Sequence, residues 1–261
     1  MKKRFIIVPD VHGREFWKTV VPFVDECERI IFLGDYHDPY GHENISTLES
    51  LNNFKEILDF AKEHKDKVTL LLGNHDLSYY RRPGDGNKWT VYANRFDSAN
   101  FSELTKLFMD NWEMFGIITM IDVPEYYQKF LLSHAGVNPN WVDDWELIKD
   151  FDPSTTSVET VCKHIDNLFQ NADEKFIESL CSISRYRGGF SRSGSMVWAD
   201  CEEFLSTPET PYTQIFGHTQ LKVPIIIEEN NLCIDYHHCS FLDEKGDLYD
   251  LETEEKKLLT Y

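Results

Sequence analysis

Six side chains stand out because each can offer a lone pair to a cation and each sits just after a short apolar run: Asp10, His12, Asp35, Asn74, His134 and His218. Carboxylate, imidazole and amide oxygen together suit first-row divalent ions such as Mn²⁺, Fe²⁺ or Zn²⁺. In Asp10-Val11-His12 the two outer side chains alternate in register, so both can face one ion. Asp35 follows Gly34, which permits a sharp turn and close backbone approach, and its two oxygens can bridge two ions. Formally, two divalent ions bring about +4 and the carboxylates of Asp10 and Asp35 return about −2. Even with a bridging hydroxide, roughly one positive charge remains to attract a phosphate. Two ions about 3.5–4 Å apart can activate water and stabilise the leaving oxygen of an in-line displacement.

These residues need a scaffold that brings distant chain positions together. Apolar runs at Phe5–Val8 and at residues 30–33, 68–72, 130–132 and 214–216 read as strands, and each runs into one of the polar clusters. Open α/β sheets place their sites at such strand ends. Residues 15–26 carry Phe16, Val20, Phe23 and Val24 at helical spacing. Residues 46–62 do the same with Leu48, Leu51, Phe54, Ile57, Leu58 and Ala61. Strand–helix–strand–helix–strand implies a parallel core. After residue 210 the pattern changes to short strands at 223–227, 232–235 and 246–251, with a turn at 228–231. Two stretches interrupt the scheme. Residues 79–115 are aromatic and polar, with Trp89, Tyr92, Phe96 and Trp112 among them. Residues 141–198 begin helical and acidic and end in a loop rich in glycine and arginine. Both read as insertions over the site within a single domain spanning 1–261.

Asp10-x-His12, Gly34-Asp35-x-x-Asp38, Gly73-Asn74-His75-Asp76, Ser133-His134-Ala135-Gly136 and Gly217-His218-Thr219 occur in that order after successive strands. Together, over roughly residues 4–240, they resemble the calcineurin-like metallophosphoesterase superfamily. The resemblance implies an α/β fold: a two-sheet β-sandwich flanked by helices. It implies that Asp10 and His12 bind a first metal, that Asp35 bridges, and that Asn74, His134 and His218 bind a second. It further implies that His75 protonates the leaving alkoxide, with Asp38 orienting it. Two positions depart from common patterns. Gln220 stands where many relatives have a second histidine, so the motif is nearest to the serine/threonine protein phosphatase and diadenosine-tetraphosphatase branch. Pro39 stands where that branch usually has a phosphate-gripping arginine, and Arg187, followed by Gly188, is the expected replacement.

The expected activity is therefore hydrolysis of a phosphomonoester by a hydroxide held between two divalent ions, with Mn²⁺ expected and Fe²⁺ or Zn²⁺ as alternatives. The substrate would be a phosphoprotein, a nucleotide or a small metabolite. A phosphodiesterase, a dinucleoside-polyphosphate hydrolase and a non-catalytic scaffold on the same fold are the competing readings. The net charge of −19 argues against bulk nucleic-acid binding, because such a surface repels phosphate backbones. No apolar run approaches the roughly 20 residues that cross a bilayer. Six scattered cysteines without a CxxC pair read as free thiols in a reducing cytoplasm. Cys233, His237, His238 and Cys239 match no standard zinc spacing and read as core cysteines plus one histidine lining the site. His37, at a variable position of the second motif, reads as a non-ligand. No GxSxG or GxxxxGK[ST] pattern offers a competing chemistry.

Overall fold

Four parallel strands, β1 (Phe5–Val8), β2 (Arg29–Phe32), β3 (Val68–Leu71) and β4 (Phe115–Gly116), lie side by side in the computed structural model. It describes residues 2–82, 93–144, 157–207, 212–227, 230–256 and 259–260. Trp89, Tyr92 and part of the turn at 228–231 lie outside the described residues. Antiparallel β10 (Ser240–Leu242) and β11 (Leu248–Asp250) extend the sheet beyond β1. The second sheet runs β12-β8-β9-β7-β6-β5. Its members are β5 (Ile118–Val123), β6 (Gln128–Ser133), β7 (Thr213–Phe216), β8 (Ile225–Ile227), β9 (Asn231–Cys233) and β12 (Leu259–Thr260).

Alternation along the strands builds two cores. Phe5, Ile7, Ile31 and Leu33 pack with Phe130, Leu132, Ile215 and Leu232 between the sheets. Ile6, Val8, Ile30 and Phe32 pack outward, with Trp17, Phe54 and Ile57 of the flanking helical layer. Strands buried on both faces have no polar alternation, which is why they read as unbroken apolar runs. The result is the two-sheet sandwich flanked by helices.

α1 (Thr47–Glu63) begins where expected. Ser46 caps it: the Glu49 N–H donates to Ser46 Oγ at 3.2 Å, and the Ser46 N–H donates back to Glu49 Oε2 at 2.8 Å. Leu48, expected on its apolar face, is instead 61% exposed. The expected α-helix over 15–26 is a 3-10 helix, Phe16–Phe23. Pro22 lies inside it, supplies no N–H and opposes an α-helical ladder. Its most buried residues are Trp17 and Val20, with Val24 just beyond. Phe16 and Phe23 pack only partly against the core.

Strands β4, β5, β10 and β12 are not among the sequence expectations. β5 and β6 form an antiparallel pair, and β10 returns the chain to the first sheet beside β1. The stretch 79–115 contains α2 (Phe101–Asp110), and 141–198 contains most of α3 (Pro139–Asp144), α4 (Val158–Gln170) and α5 (Glu174–Leu180). α4 turns Val161, Ile165 and Phe169 inward over β5 and β6. Among the described residues, no helix is long and apolar enough to cross a membrane.

Candidate metal centre

The segments following β1, β2, β3, β6 and β7 meet at one end of the sandwich. They bring Asp10 and His12, Asp35 and Asp38, Asn74 and His75, His134, and His218 together, and all eight are buried. The expected strand-like alternation of Asp10 and His12 gives way to a left-handed residue at His12, with φ 45°. Backbone pairing with the next loop continues nonetheless. The N–H groups of His12 and Gly13 donate to Asp35 O and Tyr36 O at 2.6 and 3.1 Å. Asp35, Asp38 and His218 are also left-handed, with φ of 53°, 60° and 66°. Aspartate and histidine tolerate this region better than most residues. Each such residue still costs on the order of 1–3 kcal/mol, strain that accumulates at functional sites.

Asp76 pins two of these loops together. Its carboxylate accepts the Asp35 N–H at 2.6 Å, the Gly73 N–H at 2.8 Å and the Tyr36 N–H at 3.0 Å. Burial nonetheless pushes its carboxyl up to about 7. Gly73 has no room for a side chain, since a Cβ there would lie 2.1 Å from Asp35 Oδ1 and 2.7 Å from His134 Cε1. Gly217 is equally constrained, with Asp10 Oδ1 only 2.4 Å from the place of a Cβ.

The tautomers define what the site can hold. His134 Nδ1 lies 2.9 Å from Leu33 O, and His12 Nδ1 lies 3.0 Å from His37 O. A carbonyl only accepts, so each Nδ1 carries the proton and each Nε2 keeps its lone pair. Burial lowers the pKa of both rings, which keeps them neutral; His75, Arg95 and Arg14 add repulsion at His12. The bare Nε2 of His134 then faces Asn74 Oδ1 at 3.0 Å and Asp35 Oδ2 at 3.5 Å, with His218 Nδ1 at 3.1 Å. His12 Nε2 lies 3.4 Å from Asp35 Oδ2. Lone pairs facing lone pairs in a buried space repel unless a cation stands between them. Metal–ligand bonds of about 2.0–2.2 Å place neighbouring ligands roughly 3.0–3.5 Å apart, the spacing seen here. The donor set therefore fits a divalent ion.

Among the described residues, two groups of atoms that could hold a metal ion, each within 4.8 Å, share Asp35: one with Asp10, His134 and His218, the other with His12 and His75. Asp10 falls in the group with His134 and His218. Burial, together with repulsion from Asp10 and Asp76, pushes the Asp35 carboxyl well above the usual range. A cation would relieve that repulsion.

His75 differs from His12 and His134 in that its Nδ1 faces a carboxylate and its Nε2 a guanidinium. Nδ1 is 2.8 Å from Asp38 Oδ2, and Nε2 is 3.3 Å from an Arg95 Nη2. The hydroxyl of Tyr79 donates to Asp38 Oδ1 at 2.6 Å and accepts the Asp97 N–H at 2.6 Å. Arg187 borders the same cavity, where Nη2 donates to Thr219 Oγ1 at 2.6 Å and Nε lies 2.9 Å from Asp200 Oδ2. Trp198 meets the His218 ring edge-on at 6.0 Å.

Sequence reasoning did not single out Arg95, Tyr40 or Tyr79. Arg95 and Tyr40 line the cavity, and Tyr79 supports Asp38. Only their place near the motifs hints at them. His37 turns away, with Nε2 3.1 Å from Asp97 Oδ2. Gln220 is exposed and pairs with His237 at 3.3 Å. His238 sits by Asp250 and Glu252, so neither histidine of the 233–239 segment lines the cavity as expected. Cys233 and Cys239 are buried and unpaired.

Comparison with solved structures finds the same fold at low identity. A cold-active protein-tyrosine phosphatase from a Shewanella species is 15% identical, covers 97% of this chain and 81% of its own, with a TM-score of 0.55. A second structure of a cold-active protein tyrosine phosphatase is 15% identical, covers 98% of this chain and 81% of its own, with a TM-score of 0.56. A search of the curated proteins returned no match. The calcineurin-like phosphoesterase model matches residues 3–222, a span that includes all the clustered site residues. With that span and the sandwich that gathers its motifs at one end, the chain belongs to the calcineurin-like phosphoesterase family.

Proposed function

We propose that the protein is a dinuclear metal-dependent phosphatase, hydrolysing a phosphomonoester on a phosphoprotein, a nucleotide or a small metabolite. The carrying observation is the set of lone pairs meeting in one buried space: His12 Nε2 and His134 Nε2 face Asp35 Oδ2, and Asn74 Oδ1 faces His134 Nε2. In this reading Asp10 and His12 hold one ion, Asn74, His134 and His218 hold the other, and Asp35 is shared. Mn²⁺ is the expected ion, with Fe²⁺ or Zn²⁺ as alternatives. When bound, such ions supply Lewis acidity and a water of lowered pKa.

The chain's own residues do the rest. Leu33 O and His37 O lock the tautomers of His134 and His12, so both rings present Nε2 as ligands. Asp38 accepts the His75 Nδ1–H and leaves Nε2 on the cavity side, positioned, when protonated, to carry a proton to the leaving oxygen. Tyr79 fixes the second oxygen of Asp38 and so holds the ring in place. Arg187 contributes a guanidinium beside His218, suited to contact a phosphate oxygen. The setting we propose is cytoplasmic, in keeping with six unpaired cysteines.

The test is a panel of phosphomonoesters, phosphodiesters and dinucleoside polyphosphates, assayed with Mn²⁺, Zn²⁺ and Mg²⁺ in turn. The expected result is turnover of monoesters well above diesters, dependent on added metal. Preference for diesters or polyphosphates would overturn the monoester assignment. Absence of turnover with every metal would favour a scaffold.

A further inference from the structure

The arginine that the motif lacks at Pro39 has a counterpart in space. Arg95 belongs to the aromatic stretch, outside every metal motif, yet its side chain lies over the cavity beside His75. Three contacts hold it there. The guanidinium carbon stands 3.8 Å from the centroid of the Tyr40 ring. Nε donates to Asp38 O at 3.2 Å. An Nη2 lies 3.3 Å from His75 Nε2.

Charge separates Arg95 from the other arginines around the site. Arg14 is paired with Glu43 at 2.8 Å, and Arg187 with Asp200 at 2.9 Å. Arg187 also spends one terminal nitrogen on His218 O and Thr219 Oγ1. Among the described residues, Arg95 meets no carboxylate; its partners are a carbonyl, an imidazole nitrogen and an aromatic face. A guanidinium stacked on an aromatic ring keeps its in-plane N–H groups free for an anion. In a chain of net charge −19, an arginine beside the candidate metal site with no carboxylate partner among the described residues is placed to take an anionic ligand.

We propose that Arg95 is the principal phosphate-binding arginine of this protein, gripping nonbridging phosphate oxygens from the His75 side of the cavity while Arg187 gives weaker support from the His218 side. The proposal rests on the phosphatase reading above. It predicts that Arg95 binds substrate and product alike, because the nonbridging oxygens stay anionic through the reaction. A contact kept equally in ground and transition states acts on KM more than on kcat.

The test uses the full chain loaded with Mn²⁺ and inorganic phosphate as the probe, in wild type, Arg95→Ala, Arg95→Lys and Arg187→Ala. Phosphate affinity is read by calorimetry and as product inhibition of p-nitrophenyl phosphate hydrolysis. Metal content and melting temperature are measured on each preparation. Losing a charge-assisted contact should weaken phosphate binding by about 10- to 100-fold in Arg95→Ala. KM should rise in parallel, with metal content unchanged. Arg95→Lys should recover only part of the loss, since an ammonium lacks the two-pronged fork. Arg187→Ala should cost less than Arg95→Ala. If Arg95→Ala unfolds, Arg95→Lys carries the same comparison.

Phosphate affinity within twofold of wild type in Arg95→Ala, or a larger loss in Arg187→Ala, would overturn the proposal while leaving the hydrolase reading intact. A wild type that binds phosphate through Arg95 yet turns over no ester would do the reverse.

Discussion

Replacing Asp35 by asparagine is expected to remove metal and activity together. Asp35 is the one residue common to both groups of atoms that could hold a metal ion. Its carboxylate stands within 3.4 Å of His12 Nε2 and 3.5 Å of His134 Nε2. Two dications a few ångströms apart repel strongly, and the shared negative charge is what offsets that repulsion. Asparagine keeps the shape and one oxygen but removes the charge. The loss should therefore exceed the roughly 10- to 100-fold typical when only an outer partner of a ligand is removed. Asp35 Oδ1 also accepts the His75 N–H at 3.0 Å, so the melting temperature should be recorded alongside. Elemental analysis of dialysed Asp35→Asn should find fewer than two ions per chain. Two retained ions with near-normal turnover would remove Asp35 from the shared position.

His75→Asn is expected to separate chemistry from metal binding. The ring is buried, its Nδ1 committed to Asp38, and its Nε2 on the cavity side. Burial holds its pKa below the ordinary value, and the Asp38 carboxylate pulls the other way. When Nε2 is protonated, the ring can deliver that proton to a departing alkoxide, an effect typically worth about 10²–10⁴-fold. Turnover of an alkyl phosphate should fall by about that factor while both ions stay bound. The defect should shrink for p-nitrophenyl phosphate, whose leaving group barely needs a proton. His75 also lies within reach of His12 and Asp35 in one of the two atom groups. Loss of an ion in His75→Asn would therefore make it a ligand. An equal defect for both esters would make it a phosphate-positioning group.

Much of this arrangement was legible because the strands are buried on both faces. Apolar runs such as Phe5–Val8 end abruptly in aspartate, histidine or asparagine, and that change of character marks the loop where a parallel sheet presents its ligands. Short-range geometry was harder to read. Pro22 turned an expected α-helix into a 3-10 helix, and Leu48 faces solvent although its spacing matches the apolar stripe. The left-handed turn at His12 replaces a simple strand alternation, because the loop keeps pairing with its neighbour after β1 has ended. Arg95 was not legible at all. It sits among aromatic residues with no motif around it, and only the folding of 93–97 over Tyr40 and His75 gives it a place in the cavity. Tyr79 is similar, since its link to Asp38 spans 41 residues of sequence.

The central claim is that two ions act together at the shared Asp35. The most direct measurement is a titration of metal-free protein with Mn²⁺, following bound metal per chain and hydrolysis of p-nitrophenyl phosphate on the same samples. The account predicts saturation at two ions per chain, with activity emerging as the second ion binds. Saturation at one ion, or full activity before the second binds, would contradict it.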